Sequence, residues 1–256
     1  MYQISKSKFF NEKGNNSHLD SKYGKNQNLQ EIHRELKKLL KQFTYICSEK
    51  EIKPIIMHGS LIGWYFNRRI LPWDNDIDIV LTGKSIENLK KLDNFETEKI
   101  IIKVNPNSVD RNNDKNNKID ARVISKENGV FIDITFLYQS LDNNFKTNII
   151  RYLSTIQNTT NPYMRANYEN KLKYIVKSIN RSEPIESSGY VNCKSPHYYN
   201  IKHILPLKKE KFEDCDIFLP SNIQECLHQE YGPDVFKPKF KNWVYDNKQE
   251  IWRNRY

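Results

Sequence analysis

The sequence predicts an α/β chain, of the α+β kind, in which short strands alternate with helices. Three observations carry this reading. Residues 29–50 place Leu29, Ile32, Leu36, Leu39, Leu40, Phe43, Ile46 and Cys47 at steps of three and four, the apolar stripe of an amphipathic helix. Short apolar runs follow, bounded by Gly, Pro and Asn, the punctuation of strands. In one of them, residues 74–81, Asp74, Asp76 and Asp78 alternate with Ile77, Ile79 and Leu81, which is the period of two that defines a strand with unlike faces.

Taken in order, residues 1–28 are rich in Asn, Lys and Ser and are expected to form a flexible polar arm. The helix of 29–50 comes next. Pro54 opens a short strand, Ile55-Ile56-Met57, that ends at Gly59-Ser60. A helix is expected over 61–66, capped by Ser60. After the strand at 76–81 come a helix at 85–92 and a strand at 99–104. Residues 105–117 hold six Asn and read as a surface loop. Strands at 119–125 and 130–137 are joined by the turn Lys126-Glu-Asn-Gly129. Residues 139–195 read as a Tyr-rich helical insertion. Strands at 204–206 and 216–220 follow, then a helix over 221–231 capped by Ser221 and closed by Gly232. No repeat divides the chain, so residues 29–256 are expected to form a single domain.

Composition narrows the function. The hydrophobic share is 38%, with 15 Tyr and 12 Phe, enough for a core and contrary to disorder. The net charge is +10, and its excess sits in residues 1–60 and 141–204. That distribution suits an anionic substrate, and most of these lysines read as solvated surface. No apolar run is long enough to span a bilayer, so the chain is expected in the cytoplasm or another soluble compartment. Cys47, Cys193, Cys215 and Cys226 include no C-x-x-C pair, and no zinc knuckle is expected. Cys47 and Cys226 read as core. His197, His203 and His228 have no metal-binding spacing.

The chemistry concentrates in Met57-His-Gly-Ser-Leu-Ile-Gly-Trp64 and Leu71-Pro-Trp-Asp-Asn-Asp-Ile-Asp78. On a strand, Asp76 and Asp78 share a face ~6.6 Å apart. Two carboxylates so placed repel each other unless a cation lies between them, and magnesium or manganese takes such oxygens while leaving positions for substrate phosphates. Asp133, the one charge in Phe131-Ile-Asp-Ile-Thr-Phe136, is costly to bury alone. It is expected to be a third ligand or a base. Gly59 allows close backbone approach to a phosphate, and Ser60 adds a hydroxyl. Asp120 and Arg122 lie on the neighbouring strand, where Arg122 could bind phosphate or bridge strands. His58, Trp64, Trp73 and Asp74 are weaker candidates, read as core or as support for the loop.

These residues resemble the LicD/fukutin-type family. The resemblance rests on His58-Gly-Ser-Leu-Ile-Gly-Trp64, Pro72-Trp-Asp-Asn-Asp-Ile-Asp-Ile79, Ile119-Asp-Ala-Arg122 and Phe131-Ile-Asp-Ile134. Tyr198-Tyr-Asn-Ile-Lys-His-Ile-Leu-Pro-Leu207 and Gln229-Glu-Tyr-Gly232 also look like the family's C-terminal pattern. The first segment looks most like the fungal branch linked to mannosyl-phosphate transfer. The resemblance implies a nucleotidyltransferase-like fold, a mixed sheet flanked by helices, with a helical C-terminal extension. It implies transfer of phosphocholine, a sugar phosphate or a polyol phosphate from a CDP- or GDP-linked donor to a glycan hydroxyl. Asp76, Asp78 and Asp133 would hold the metal, and Gly59 and Ser60 the donor phosphate. Two alternatives use the same residues differently. A true nucleotidyltransferase acting on RNA or a small molecule would release pyrophosphate. A basic binding module for nucleic acid or anionic glycan would dispense with the aspartates, whose repulsion weakens any metal-free anion site. Nucleic acid is therefore not the expected partner.

Overall fold

Asn28 starts the first helix by accepting the Glu31 N–H at 2.9 Å, while the Glu31 carboxylate accepts the Asn28 N–H at 3.0 Å, a reciprocal cap that satisfies two otherwise orphaned donors. In this computed structural model, residues 10, 18–25, 27–106, 108, 119–140, 143–176, 190–193 and 197–255 are described. The elements are α1 (Leu29–Glu49), β1 (Ile55–Ile56), α2 (His58–Asn67), β2 (Asp78–Thr82), α3 (Lys84–Lys90), β3 (Ile100–Val104), β4 (Ala121–Ser125) and β5 (Phe131–Ser140). Next come α4 (Asn143–Asn158), α5 (Pro162–Val176), β6 (Tyr190–Asn192), β7 (Tyr198–Asn200) and α6 (Ile201–Ile204). The chain continues with β8 (Lys208–Phe212), β9 (Cys215–Leu219), α7 (Ile223–Tyr231), a 3₁₀ turn (Pro233–Phe236), β10 (Lys239–Phe240), β11 (Trp243–Asp246) and β12 (Ile251–Asn254).

Nine of the described strands form one mixed sheet flanked by helices. Its main path is β3-β4-β5-β2-β1-β9-β8, with β6 paired to β5 and β7 to β6. The central pair β2/β5 is parallel, as is β1/β9. Central strands are covered on both faces, and Ile79, Val80, Leu81, Ile132, Ile134 and Phe136 are accordingly buried. The stripe of α1 packs Leu36, Leu39, Leu40, Phe43 and Cys47 into this core, each leucine contributing about 1.5–3 kcal/mol.

α2 ends where Arg68 turns left-handed at φ 60°, sending the chain back past the helix. A Cβ added to Gly63 would lie 2.3 Å from the Arg69 carbonyl oxygen, so only glycine fits at this crossing. Gly63→Ala is expected to cost about 1–3 kcal/mol, read as a lower urea midpoint at unchanged slope. An unchanged midpoint would show that the crossing is looser than described.

Several elements differ from the sequence reading, each for a local reason. Ser60 does not cap α2. The helix starts at His58, and the Ser60 hydroxyl oxygen accepts the Asp78 N–H at 2.9 Å. Asn222, not Ser221, caps α7 by accepting the Glu225 N–H, while the Ser221 hydroxyl donates to the Lys202 carbonyl. The strand expected at 204–206 does not form: residues 201–204 are a helical turn, started by the Asn200 side chain accepting the Lys202 N–H, and residues 205–206 follow it outside any strand. The charged strand β8 was not foreseen. It is an exposed edge, and charge on an edge strand discourages pairing with other chains. Helices α4 and α5 occupy most of the described part of the expected insertion. The C-terminal extension is helical through α7 and then ends in a three-stranded sheet, β10-β11-β12.

Within the expected flexible arm, residues 18–25 lie against the β4–β5 hairpin. Asp20 N–H donates to the Gly129 carbonyl at 2.7 Å and Lys25 N–H to the Asn128 carbonyl at 3.1 Å. Most of the Asn-rich loop at 105–117 lies outside the described residues.

Candidate active site

Strand register builds the site. β2 and β5 set Asp78 opposite Asp133, and β4 sets Arg122 opposite Asp133 from the other side. Cross-strand partners share a face, so the three form a row across the sheet. Arg122 Nε donates to Asp133 Oδ1 at 2.6 Å. Arg122 is buried, with its guanidinium 3.6 Å from the centre of the Phe131 ring. Of the two roles open to Arg122 in the sequence, the geometry displays the strand-bridging one. Asp120 is fully buried, and its Oδ2 accepts the Phe136 N–H at 2.6 Å, so it braces the hairpin.

Asp74 and Asp76 sit on the loop before β2. Asp74 N–H donates to the Leu71 carbonyl at 2.9 Å, and the Asp74 carbonyl lies 2.6 Å from His33 Nε2. Trp73 stacks on Phe240, 4.9 Å between ring centres at 23°, and meets Trp252 edge-on. The small C-terminal sheet thereby clamps the loop. Burial, then the charges of Asp78 and Asp74, push the Asp76 carboxyl well above the usual range, with a hydrogen bond donated to Asp74 and the charge of Asp133 acting the same way. Burial also raises Asp74; its hydrogen bond with Asp76 opposes this, and the charge of Asp78 adds to it. Four carboxylates therefore act on one another at the C-terminal end of one loop and the start of one sheet row. His18, from the docked arm, stands 3.7 Å from Asp76 Oδ2.

Gly59 opens this cluster to a cleft. A Cβ at Gly59 would stand 3.0 Å from Asp74 Oδ2 and 3.8 Å from Asp78 Oδ2. The cleft encloses about 370 Å³, lined by Gly59, Trp73 and Asp74 on one side and by Tyr231, Lys237 and Lys239 on the other. That volume falls in the range of small-molecule sites. Tyr231 has its hydroxyl pushed up by burial and by the charges of Glu230, Asp78 and Asp74, which keeps it a protonated donor beside the carboxylates. A larger cavity, about 550 Å³, lies by β3 and β4 between Asp20 and Lys103. It touches none of these carboxylates.

The structure thus brings Gly59, Asp74, Asp76, Asp78 and Asp133 together, with Ser60 and Arg122 fixing Asp78 and Asp133 from either side. Asp74 lines the cleft and holds a larger place than its sequence pattern indicated. His58 belongs to a different cluster, bonded to Glu230 at 2.9 Å. The sequence reading did not assign Tyr231, Lys237, Lys239 or Phe240 to the site. They come from α7 and the turn and strand after it, far along the chain, and the one local signal was the Gln229–Gly232 pattern.

The span that carries this site is similar to known proteins. Residues 51–161, which run from just before β1 through the site strands to just past α4, match the LicD/FKTN/FKRP nucleotidyltransferase domain. Mannosyltransferase regulator 4 of Saccharomyces cerevisiae is 22% identical, the match covering 87% of this chain and 25% of the relative. Mannosyltransferase regulator 14 of the same yeast is 19% identical over 84% of this chain and 31% of the relative. The chain spans between a quarter and a third of the length of these relatives. No helix among the described residues is long and apolar enough to cross a membrane. Residues 51–161, which hold Asp74, Asp76, Asp78 and Asp133, are thus similar to a LicD-type nucleotidyltransferase domain.

Proposed function

We propose that this chain is a metal-dependent transferase that moves a phospho-substituent from a nucleotide diphosphate donor to a glycan hydroxyl. The observation that carries the reading is the convergence of Asp74, Asp76, Asp78 and Asp133, with Asp74 and Gly59 lining the cleft. The charges of Asp78, Asp74 and Asp133 add to burial in raising the proton affinity of Asp76, a charge imbalance that a hard divalent cation relieves. Asp76, Asp78 and Asp133 would hold magnesium or manganese. Bound there, the ion supplies charge neutralisation for the diphosphate and its leaving group.

The chain's own residues do the rest. Gly59 leaves room for donor phosphate to approach the backbone. Ser60 holds Asp78 in place through its N–H, and Arg122 holds Asp133. Lys237 and Lys239 face the same cleft and offer cations to the diphosphate. The acceptor hydroxyl oxygen bonds to the phosphorus that carries the substituent, its proton passes to a carboxylate of the cluster, and the bond to the leaving nucleoside monophosphate breaks. Release of nucleoside monophosphate from CDP- or GDP-linked donors, in the presence of a glycan acceptor, tests this directly. Pyrophosphate release would favour nucleotidyl transfer instead.

The expected binding signature is metal-dependent. A cognate donor at about 100 times its Kd adds about 2.7 kcal/mol of stability, seen as a melting-temperature rise that needs magnesium or manganese. An equal rise in EDTA would argue against a metal-held donor.

A second reading follows from the relatives, both of which are named regulators of a mannosyltransferase. On that reading this domain stimulates another enzyme and turns over no donor. It predicts that Asp78→Asn stimulates a partner transferase as well as the parent does.

A further inference from the structure

We infer that His58, Cys193, His197 and Glu230 form a second, separate site that binds one zinc ion and staples three chain segments beside the cleft. His58 begins α2, Cys193 and His197 flank the β6–β7 connection, and Glu230 lies on α7. One nitrogen from each histidine and the Cys193 sulfur lie within 4.8 Å of one another. His58 Nδ1 is 2.9 Å from His197 Nδ1, and these atoms stand 2.9 and 3.0 Å from the same oxygen, Glu230 Oε1. Cys193 Sγ lies 3.6 Å from His58 Nε2. The His58 and Glu230 side chains are 3% and 4% exposed, and Cys193 is buried.

Protons alone cannot satisfy this triangle. An imidazole nitrogen is either a donor or an acceptor, never both. Whatever the tautomers, one of the three contacts near 2.9 Å lacks its hydrogen bond. A cation replaces all three contacts with bonds. A tetrahedral ion with bonds of about 2.0–2.1 Å holds its ligand atoms about 3.3 Å apart, so the two Nδ1 atoms and Glu230 Oε1 need to part by only a few tenths of an ångström, while Cys193 Sγ, nearest the other nitrogen of His58, has to swing toward the Nδ1 side.

Two further features fit a metal site. His58 carries a left-handed backbone, φ 55°, a conformation that non-glycine residues rarely adopt and that clusters at ligand clamps. Tyr199 donates its hydroxyl to Glu230 Oε2 at 2.6 Å and so fixes a carboxylate whose two oxygens both stand within 3.0 Å of His58 Nδ1, as outer partners of metal ligands do. The donor set decides the ion. Two imidazoles, a thiolate and a carboxylate suit zinc, whereas the aspartate row offers only hard oxygens. With four protein ligands no position is left for substrate, so the role is structural. His58 and Glu230 adjoin Gly59 and Tyr231, so the ion would set the distance between the two walls of the cleft. The inference does not rest on the proposed reaction.

Metal analysis of the full chain, purified without a polyhistidine tag and dialysed, tests it. About one zinc per chain is expected, falling about tenfold or more in Cys193→Ser and His197→Ala and staying unchanged in Asp76→Asn. Tyr199→Phe is expected to weaken zinc affinity about tenfold. Zinc-free parent protein after equilibration with zinc, or full zinc in the Cys193→Ser/His197→Ala double variant, would overturn the site. Should these variants fail to fold, cobalt added to the metal-stripped parent decides. A thiolate-to-cobalt charge-transfer band is expected, and its absence counts against Cys193 as ligand. Because zinc content is read without donor or acceptor, an inactive enzyme that holds zinc leaves this site standing while removing the proposed reaction.

Discussion

Asp78→Asn is expected to slow transfer by on the order of 10³-fold while the protein stays folded. Asp78 opens β2, its N–H is held by Ser60, and its side chain faces Asp133 across the parallel pair. The amide keeps the shape and removes the charge that a cation needs, so the loss falls on turnover. Asp76→Asn is expected to lose comparable activity and, in the absence of metal, to melt higher than the parent. Burial, with the charges of Asp78 and Asp74, holds the Asp76 carboxyl well above its usual value. The native state therefore binds a proton more tightly than the unfolded chain does. The stability linked to that proton is present at acid pH and is lost as pH rises through the native-state value. An amide mimics the protonated acid at every pH and keeps that stability at neutral pH. A gain of about 1 kcal/mol, roughly 2–4 °C in a domain of this size, is expected in EDTA, and it should narrow at acid pH. Full turnover by Asp78→Asn, or by the parent in excess EDTA, would remove the metal-dependent mechanism. A lower melting point for Asp76→Asn in EDTA would mean that the carboxylates are not in conflict.

What could be read from the sequence was what local pattern encodes. The stripe of α1, the alternation into β2 and the Lys126–Gly129 turn each depend on neighbours a few residues away, and each stands within a residue or two of its expected bounds. The aspartates at steps of two read as one strand face, yet only Asp78 lies on β2, while Asp74 and Asp76 reach the cluster from the loop before it. The pairing of Asp78 with Asp133 needed strand register, which sequence supplies only as an inference from similar apolar runs. Other parts have no local period. Trp73 finds Phe240 and Trp252 in a small sheet at the far end of the chain. His58 meets Cys193 and Glu230 across separations of 135 and 172 residues. Histidines judged by spacing alone gave no sign of this, because the ligands come from three segments that only the sheet and α7 bring together. Ser60 makes the same point in small: its place before an apolar run reads as a cap, yet the tertiary contact to the Asp78 N–H claims its oxygen.

Arg122→Met is expected to destabilise the metal-free protein by about 3–5 kcal/mol. Methionine fills similar space against the Phe131 ring, so the loss is electrostatic. It removes the guanidinium that sits 2.6 Å from Asp133 and leaves that carboxylate, 7% exposed, in the company of Asp78 and Asp76. A buried charge that loses its partner costs more than the pair ever contributed. Two controls tie the loss to that cause. Adding Asp133→Asn to Arg122→Met is expected to recover most of the stability, because the two substitutions then remove both charges of one pair. Saturating magnesium or manganese is expected to narrow the gap between Arg122→Met and the parent, because an ion held by Asp133 takes over the charge balance. Urea denaturation of the parent, Arg122→Met, Asp133→Asn and the double variant, with and without metal, measures both. If Arg122 instead serves mainly to grip donor phosphate, the single variant keeps its stability and loses donor affinity, and the double variant recovers nothing. The ion pair, the row it completes and the metal the row would hold are therefore separable by one cycle of substitutions.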